Sequence, residues 1–154
     1  YDIVAAGYKY NLNDILASMA RVQLSKARDF LDERRSIAER YDRALAGIPG
    51  LTLPRSSASD ARHLYPIQIE ERAHLTRDKV AKGLQAAGIG VSVHFRPLHT
   101  MSYWKDRYSL CDEDLNEARL QHSRILSLPI WQGMSQGQQE RVIDTLKALV
   151  KELS

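Results

Sequence analysis

Two short stretches carry side chains suited to chemistry. The first is Lys9-Tyr10-Asn11, with Asn13 opening a long apolar-periodic run behind it. An ammonium group, two side-chain amides and the unpaired N–H groups of a helix start would meet there, a combination that suits a phosphate. Tyr8 and Tyr10 flank it with flat faces that carry a hydroxyl. The same residues also read as an ordinary capped helix whose tyrosines pack on a core, and local physics leaves both readings open. The second stretch is His94-Phe95-Arg96-Pro97-Leu98-His99, at the end of a β-branched run. Strand alternation sends His94 and Arg96 to one side, and Pro97 fixes the turn that presents His99. An imidazole and a planar guanidinium fork there suit an anionic or hydroxylated substrate. Packing of the same pair at a subunit interface is the competing reading. Zinc ligation by the two histidines has little support, because no cysteine pair, HExxH motif or close carboxylate accompanies them.

Other polar residues read as structural. Asp112-Glu113-Asp114 opens a helix, where acids complement the macrodipole. Cys111 beside them is disfavoured as a thiolate and reads as inert. Segment 28–43 mixes both charge signs, with Arg28–Asp32, Arg35–Glu39 and Glu39–Arg43 at i,i+4, so it reads as a solvated, ion-paired helix face. His63, His74 and His122 have no identifiable partners. The sequence contains no glycine-rich phosphate loop, nucleophile elbow or Walker motif.

The elements that must position these groups follow from spacing. Leu12, Ile15, Leu16, Met19, Val22, Ala27, Phe30, Leu31, Ile37, Ala38, Tyr41 and Leu45 recur at helical period, with no proline or glycine from Asn13 to Leu45. Asn13 is the N-cap and Gly47, Pro49 and Gly50 are the stop. About 33 residues at roughly 1.5 Å rise predict one helix about 50 Å long, longer than a small domain is wide. Such a helix connects two bodies or lies along an interface. After it, the pattern predicts a short strand at 51–53, a polar loop at 55–62, and a strand at 63–69 whose Pro66 argues for an edge or a bulge. A Thr76-capped helix over 77–87 ends at Gly88, and a strand over 89–95 follows. Helices near 113–125 and 136–152, the latter capped by Ser135, flank a short extended piece at 127–130. The order predicts an α+β fold: a long N-terminal helix, then a small, largely antiparallel sheet with helices on one face. Its parts are an arriving segment 1–12, a connecting helix 13–46 and a small domain 47–154.

Composition sets the bounds. The 154 residues are 44% hydrophobic and 27% charged, ordinary values for a globular domain. A net charge of +3 is too small to argue for nucleic acid. No apolar run approaches the ~20 residues of a membrane span, and one cysteine allows no internal disulfide and fits a reducing cytoplasm.

Several of these motifs recur together in a known family. Gly7-Tyr8-Lys9-Tyr10-Asn11-Leu12-Asn13-Asp14-Ile15, Gln23-Leu24, Arg34-Arg35 with Ala38-Glu39-Arg40-Tyr41, Pro49-Gly50-Leu51, Gly88-Ile89-Gly90, His94 to His99 and Leu126-Ser127-Leu128-Pro129 stand in order along essentially the whole chain. In that order and spacing the chain resembles the DegT–DnrJ–StrS sugar aminotransferases, and most nearly the type acting on UDP-linked 4-keto sugars to give UDP-4-amino-4-deoxy-L-arabinose. Much of the family has Asn-Tyr-Arg where Lys9-Tyr10-Asn11 stand here. The resemblance implies a pyridoxal 5'-phosphate enzyme of fold type I, working as a homodimer, that moves an amino group from glutamate to a nucleotide-linked keto sugar. It implies that Lys9 and Asn11 reach the cofactor phosphate of the neighbouring subunit. Tyr10, His94, Arg96 and His99 are implied to border the sugar-nucleotide pocket. The cofactor-bearing lysine belongs to a preceding large domain in that family, and the match makes none of Lys9, Lys26, Lys79, Lys82 and Lys105 its counterpart. The expectation is therefore a C-terminal portion that does not catalyse alone. A nucleotide-sugar-binding or dimerisation domain without catalysis is the alternative, and the residues upstream decide between them.

Overall fold

Asn13 caps the first helix as its side chain allows, its Oδ1 accepting from the Leu16 N–H at 2.9 Å. The structure is a computed structural model that describes residues 5–8, 10–57, 59–70, 74–110 and 115–153. The long helix is divided. α1 spans Asp14–Ser25 and α2 spans Ala27–Leu45, with Lys26 as a turn between them. The hydrogen bonds change partner at the same place. Ser25 Oγ donates to the Val22 carbonyl at 2.8 Å, and the Lys26 N–H goes instead to Gln23 at 3.1 Å.

The two halves differ in burial. Ile37, Ala38, Tyr41 and Leu45 of α2 enter the core, whereas α1 buries no side chain. Its apolar stripe of Ile15, Leu16, Met19 and Val22 lies exposed.

The sheet has three antiparallel strands in the order β1-β2-β3. These are β1 at Leu51–Thr52, β2 at Tyr65–Ile69 and β3 at Ile125–Leu128. Leu51 pairs with Ile69, and Tyr65 with Leu128. Tyr65, Ile67 and Ile69 alternate inward. Pro66 thus lies in the central strand rather than an edge strand. β1 pairs only with Gln68 and Ile69, so β2 is flanked at Pro66 by β3 alone, which faces it with Ser127. A residue without an N–H is tolerated at such a locally open edge.

Helix α3 (Arg77–Ala86) starts at Thr76, whose side chain accepts from the Lys79 N–H. It ends at Gly88, φ +73°, in a Schellman motif: the Gly88 N–H bonds the Gln85 carbonyl and the Ile89 N–H that of Leu84. α6 (Gln136–Leu153) opens with a reciprocal capping box. The Gln138 N–H donates to Ser135 Oγ at 3.2 Å and the Ser135 N–H to Gln138 Oε1 at 2.9 Å. α3 and α6 lie close, since a Cβ on Gly83 would meet Leu149 Cδ2 at 2.5 Å. Leu84, Val142, Leu146 and Val150 join Tyr41, Leu45, Tyr65, Ile67 and Leu126 in one core. Between α3 and β3 come a 3-10 turn at Leu98–Thr100 and the short helices α4 (Ser102–Tyr108) and α5 (Asn116–Arg124). The helix expected near 113–125 is shorter because Ile125 belongs to β3, and residues 111–114 fall outside the described segments. The α+β class with a small antiparallel sheet is as the sequence order predicts. The strand expected over 89–95 is absent: only the bridge Ser92–Ser127 forms there.

Candidate functional site

The loop from Ile89 to Thr100 is positioned from two directions. Ile89 is buried, and Val91 and Val93 pack on the core from half-buried positions. Between them Ser92 exchanges both main-chain bonds with Ser127, at 3.3 and 2.8 Å. Ser127 also places its Oγ 2.9 Å from His94 Nδ1. The His94 ring is thereby held by the same buried residue that anchors the loop. The His94–Phe95 peptide is cis.

Arg96 departs from the expected arrangement. His94 is half-buried against Ser127, whereas Arg96 is exposed and folds back along its own turn. Its Nε donates to Thr100 Oγ1 at 2.9 Å and one terminal nitrogen to the Thr100 carbonyl at 2.8 Å. The two side chains are therefore set by separate anchors and not by the alternation of a strand, since no strand forms here. Two of the five guanidinium N–H groups are so engaged, which leaves the fork able to bind an anion. Pro97 opens the 3-10 turn, and His99 within it is buried at 3% exposure. His99 serves the packing of this turn rather than offering a face to solvent.

The other half of the predicted site lies at the entrance of α1. Tyr8 and Tyr10 are 85% and 83% exposed, with ring centroids 5.6 Å apart, and Asn11 is exposed beside them. Lys9 lies outside the described residues. Among the described residues, no hydrogen bond or ring contact joins positions 8–13 to positions 94–99. What the chain brings together is His94, Ser127 and the turn that carries Arg96 and His99. Tyr10 and Asn11 it leaves exposed.

A polar cavity of about 280 Å³ lined by Arg35, Glu39, Ser56, Ser57 and Arg62 is a further feature. The segment 55–62 reads from sequence as a plain polar loop, yet Arg62 is 5% exposed with φ +50°. Asp42 and Asp60 pair with it at 3.7 and 3.5 Å, and Tyr65 donates its hydroxyl to Asp42 at 2.5 Å. Burial, and next the bond to Asp42, push the Tyr65 hydroxyl far above the usual tyrosine range. Burial alone does the same to Tyr41, whose hydroxyl donates to the Pro129 carbonyl at 2.9 Å. Two carboxylates already balance the Arg62 charge, so this network fastens α2 to β2.

The sequence patterns have a direct counterpart among known proteins. Residues 1–147 match the model of the DegT/DnrJ/EryC1/StrS aminotransferase family. The chain belongs to that family. Among solved structures it is similar to the apo form of the putative sugar aminotransferase Spr1654 from Streptococcus pneumoniae, with 28% identity and a TM-score of 0.87 over 99% of this chain and 39% of that one. That protein has also been solved in PLP and PMP forms. A DegT DnrJ EryC1 StrS aminotransferase from Brucella abortus shares 30% identity, with a TM-score of 0.81 over 96% of this chain and 38% of that one. DesV of S. venezuelae, solved with a ketimine intermediate, shares 25% at a TM-score of 0.89, covering 100% of this chain and 41% of that one. The chain therefore spans about two-fifths of the length of these relatives.

Ser127 is the site residue that sequence reasoning passes over. It sits within Leu126-Ser127-Leu128-Pro129, a motif quoted for its order alone. A serine among leucines in a buried strand is the signal that could have found it, because a buried hydroxyl requires a partner.

Proposed function

We propose that this chain is the C-terminal part of a pyridoxal 5'-phosphate-dependent aminotransferase that passes an amino group from glutamate to a nucleotide-linked keto sugar. The observation that carries the reading is the family match across residues 1–147, joined to a histidine and an arginine held on one anchored loop. When bound, pyridoxal phosphate supplies an electron sink that lets an amino group leave one carbon skeleton and join another. The remaining work belongs to protein groups. Asn11 and Lys9 are assigned to the cofactor phosphate of a neighbouring subunit. Asn11 suits this because it is exposed at a helix entrance, where main-chain N–H groups and the macrodipole favour an anion. Tyr10, His94, Arg96 and His99 are assigned to the sugar-nucleotide side. Arg96 offers its remaining N–H groups to a phosphate or carboxylate, and His94, with Nδ1 fixed by Ser127, turns Nε2 to the substrate. His99 takes part indirectly, by holding the turn.

A homodimer with sites at the interface is part of the same reading. Its support is α1, whose apolar stripe is uncovered and at whose entrance Tyr10 and Asn11 stand exposed. The reading places the cofactor-bearing lysine outside these 154 residues, in keeping with the two-fifths coverage of relatives. Among the described residues no helix is long and apolar enough to cross a membrane, and a cytoplasmic enzyme is proposed on that and the family's chemistry. The closest acceptor class proposed is a UDP-linked 4-keto sugar.

The test uses the full-length protein. Isotope-labelled glutamate should alter the cofactor absorbance and deliver labelled nitrogen to a UDP-linked keto sugar. Cofactor binding without any spectral response to glutamate, or to other amino donors, would leave the non-catalytic binding-domain reading in its place.

A further inference from the structure

Helix α4 follows the Arg96–Thr100 turn directly and buries none of its residues. It nevertheless carries three large rings in seven positions, Tyr103, Trp104 and Tyr108, at 68%, 37% and 59% exposure. Rings in a short helix are ordinarily there to fill a core, and these do not. Their arrangement is specific. Trp104 and Tyr108, at i and i+4, lie with their planes 7° apart and centroids 5.8 Å apart. Tyr103 meets Trp104 edge-on at 5.2 Å, its plane at 86°, and so braces the indole from the side. The result is a parallel, offset-stacked aromatic pair whose outer faces are open to solvent, on the element next to the substrate loop.

Charge around the pair is asymmetric. Arg107 follows Trp104 by three positions and is its neighbour on the helix surface. Asp106 follows Trp104 by two and precedes Tyr108 by two, which turns it about 200° away from both rings. The pair therefore offers flat π-faces with a cation beside them and the carboxylate behind. That pattern suits a flat heteroaromatic ring attached to a phosphate, and it gives a plain apolar surface no particular advantage. We propose that Trp104 and Tyr108 form the platform on which the nucleobase of the sugar-nucleotide substrate stacks, with Arg107 facing its phosphate. This rests on the nucleotide-sugar reading above and extends it to the part of the ligand farthest from the chemistry. Stacking of this kind tolerates different bases, because every base has a π-face, so the platform sets affinity for a nucleotide more than the choice among nucleotides.

The experiment uses full-length holoenzyme, unaltered and as Trp104→Ala, Tyr108→Ala and the conservative Trp104→Phe. UMP, dTMP and GMP serve as probes, with ribose 5-phosphate as a control that has phosphate but no base. Calorimetry gives affinities, sedimentation gives the oligomeric state, and the cofactor absorbance change with glutamate reports the donor half of the reaction. The platform predicts a loss of nucleotide affinity on the order of tenfold or more in each alanine variant. Trp104→Phe should recover most of it. Ribose 5-phosphate binding and the response to glutamate should stay unchanged. Nucleotide affinity indifferent to all three substitutions would overturn the platform while leaving the enzyme reading intact. A shift in oligomeric state with nucleotide affinity preserved would also overturn it, by showing that the rings cover a protein surface. An unaltered enzyme that binds none of the nucleotides would remove the sugar-nucleotide reading, and the platform with it.

Discussion

Removing one hydroxyl should separate the two halves of the reaction. Ser127 is 3% exposed, and its Oγ lies 2.9 Å from His94 Nδ1. Its main chain independently carries the bridge to Ser92. Ser127→Ala therefore leaves the loop tied to β3 while freeing the His94 ring to rotate. A neutral hydrogen bond of this geometry is worth about 0.5–1.5 kcal/mol, which corresponds to roughly two- to twelvefold in an equilibrium constant. KM for the nucleotide sugar should rise by about that factor, and the domain should lose a comparable amount of stability. The response to glutamate, read from the cofactor spectrum, should be unchanged, because the donor is not assigned to His94. Steady-state kinetics over both substrates, with denaturant unfolding of the same variant, supply the three quantities. Ser127→Thr should restore KM where the added methyl is accommodated. A fall in stability with KM unmoved would make the contact purely architectural and refute the positioning argument. A loss of several kcal/mol would show that the backbone bridge had failed too.

Three further outcomes follow from named contacts. Asn11→Ala in the full-length protein should weaken pyridoxal phosphate retention by about ten- to a hundredfold, the value of one charge-assisted hydrogen bond, and an unchanged cofactor titration would take Asn11 out of the site. Arg96→Ala should raise KM for the nucleotide sugar with cofactor absorbance intact, whereas reduced dimer affinity with intact KM would make it an interface residue. Tyr41 and Tyr65, both fully buried, keep their protons above the pH at which unfolded tyrosines lose theirs. Their stabilising effect is therefore complete below about pH 10 and is lost as pH rises beyond it, by about 1.4 kcal/mol per pH unit for each tyrosine. Unfolding of Tyr65→Phe across that range should show a shallower alkaline slope than the unaltered protein, and equal slopes would contradict the assignment.

What the sequence discloses is largely what neighbours in sequence decide. The Asn13, Thr76 and Ser135 caps and the Gly88 stop are readable because donor and acceptor lie within a few positions. The division of the long helix at Lys26 is not readable, since apolar periodicity continues across it. The run 89–95 has strand composition, yet whether it pairs depends on β3, more than thirty residues away, which offers it one bridge at Ser127. Arg62 looks like a loop residue and is buried because Asp42 and Asp60 converge on it, a fact of tertiary structure. At the candidate site, residue types at 94–99 suggest binding, while the burial of His99 and the ties of Arg96 to Thr100 are set by the fold and are not legible in the sequence. The exposure of Trp104 and Tyr108 is likewise a fact of tertiary structure.

The uneven burial of α1 and α2 also decides what kind of selection each part feels. From Ala27 onward, a damaging substitution at Ile37, Tyr41 or Leu45 opens this domain's own core and is judged by whether the chain folds. Before Lys26, Ile15, Leu16, Met19 and Val22 contribute nothing to that core. A mutational scan scored by the folding of this domain would find α1 silent, and one scored by assembly or cofactor retention would find it sensitive. One nearly continuous stretch of sequence would then show two unrelated patterns of tolerance, the second beginning only at Ile37.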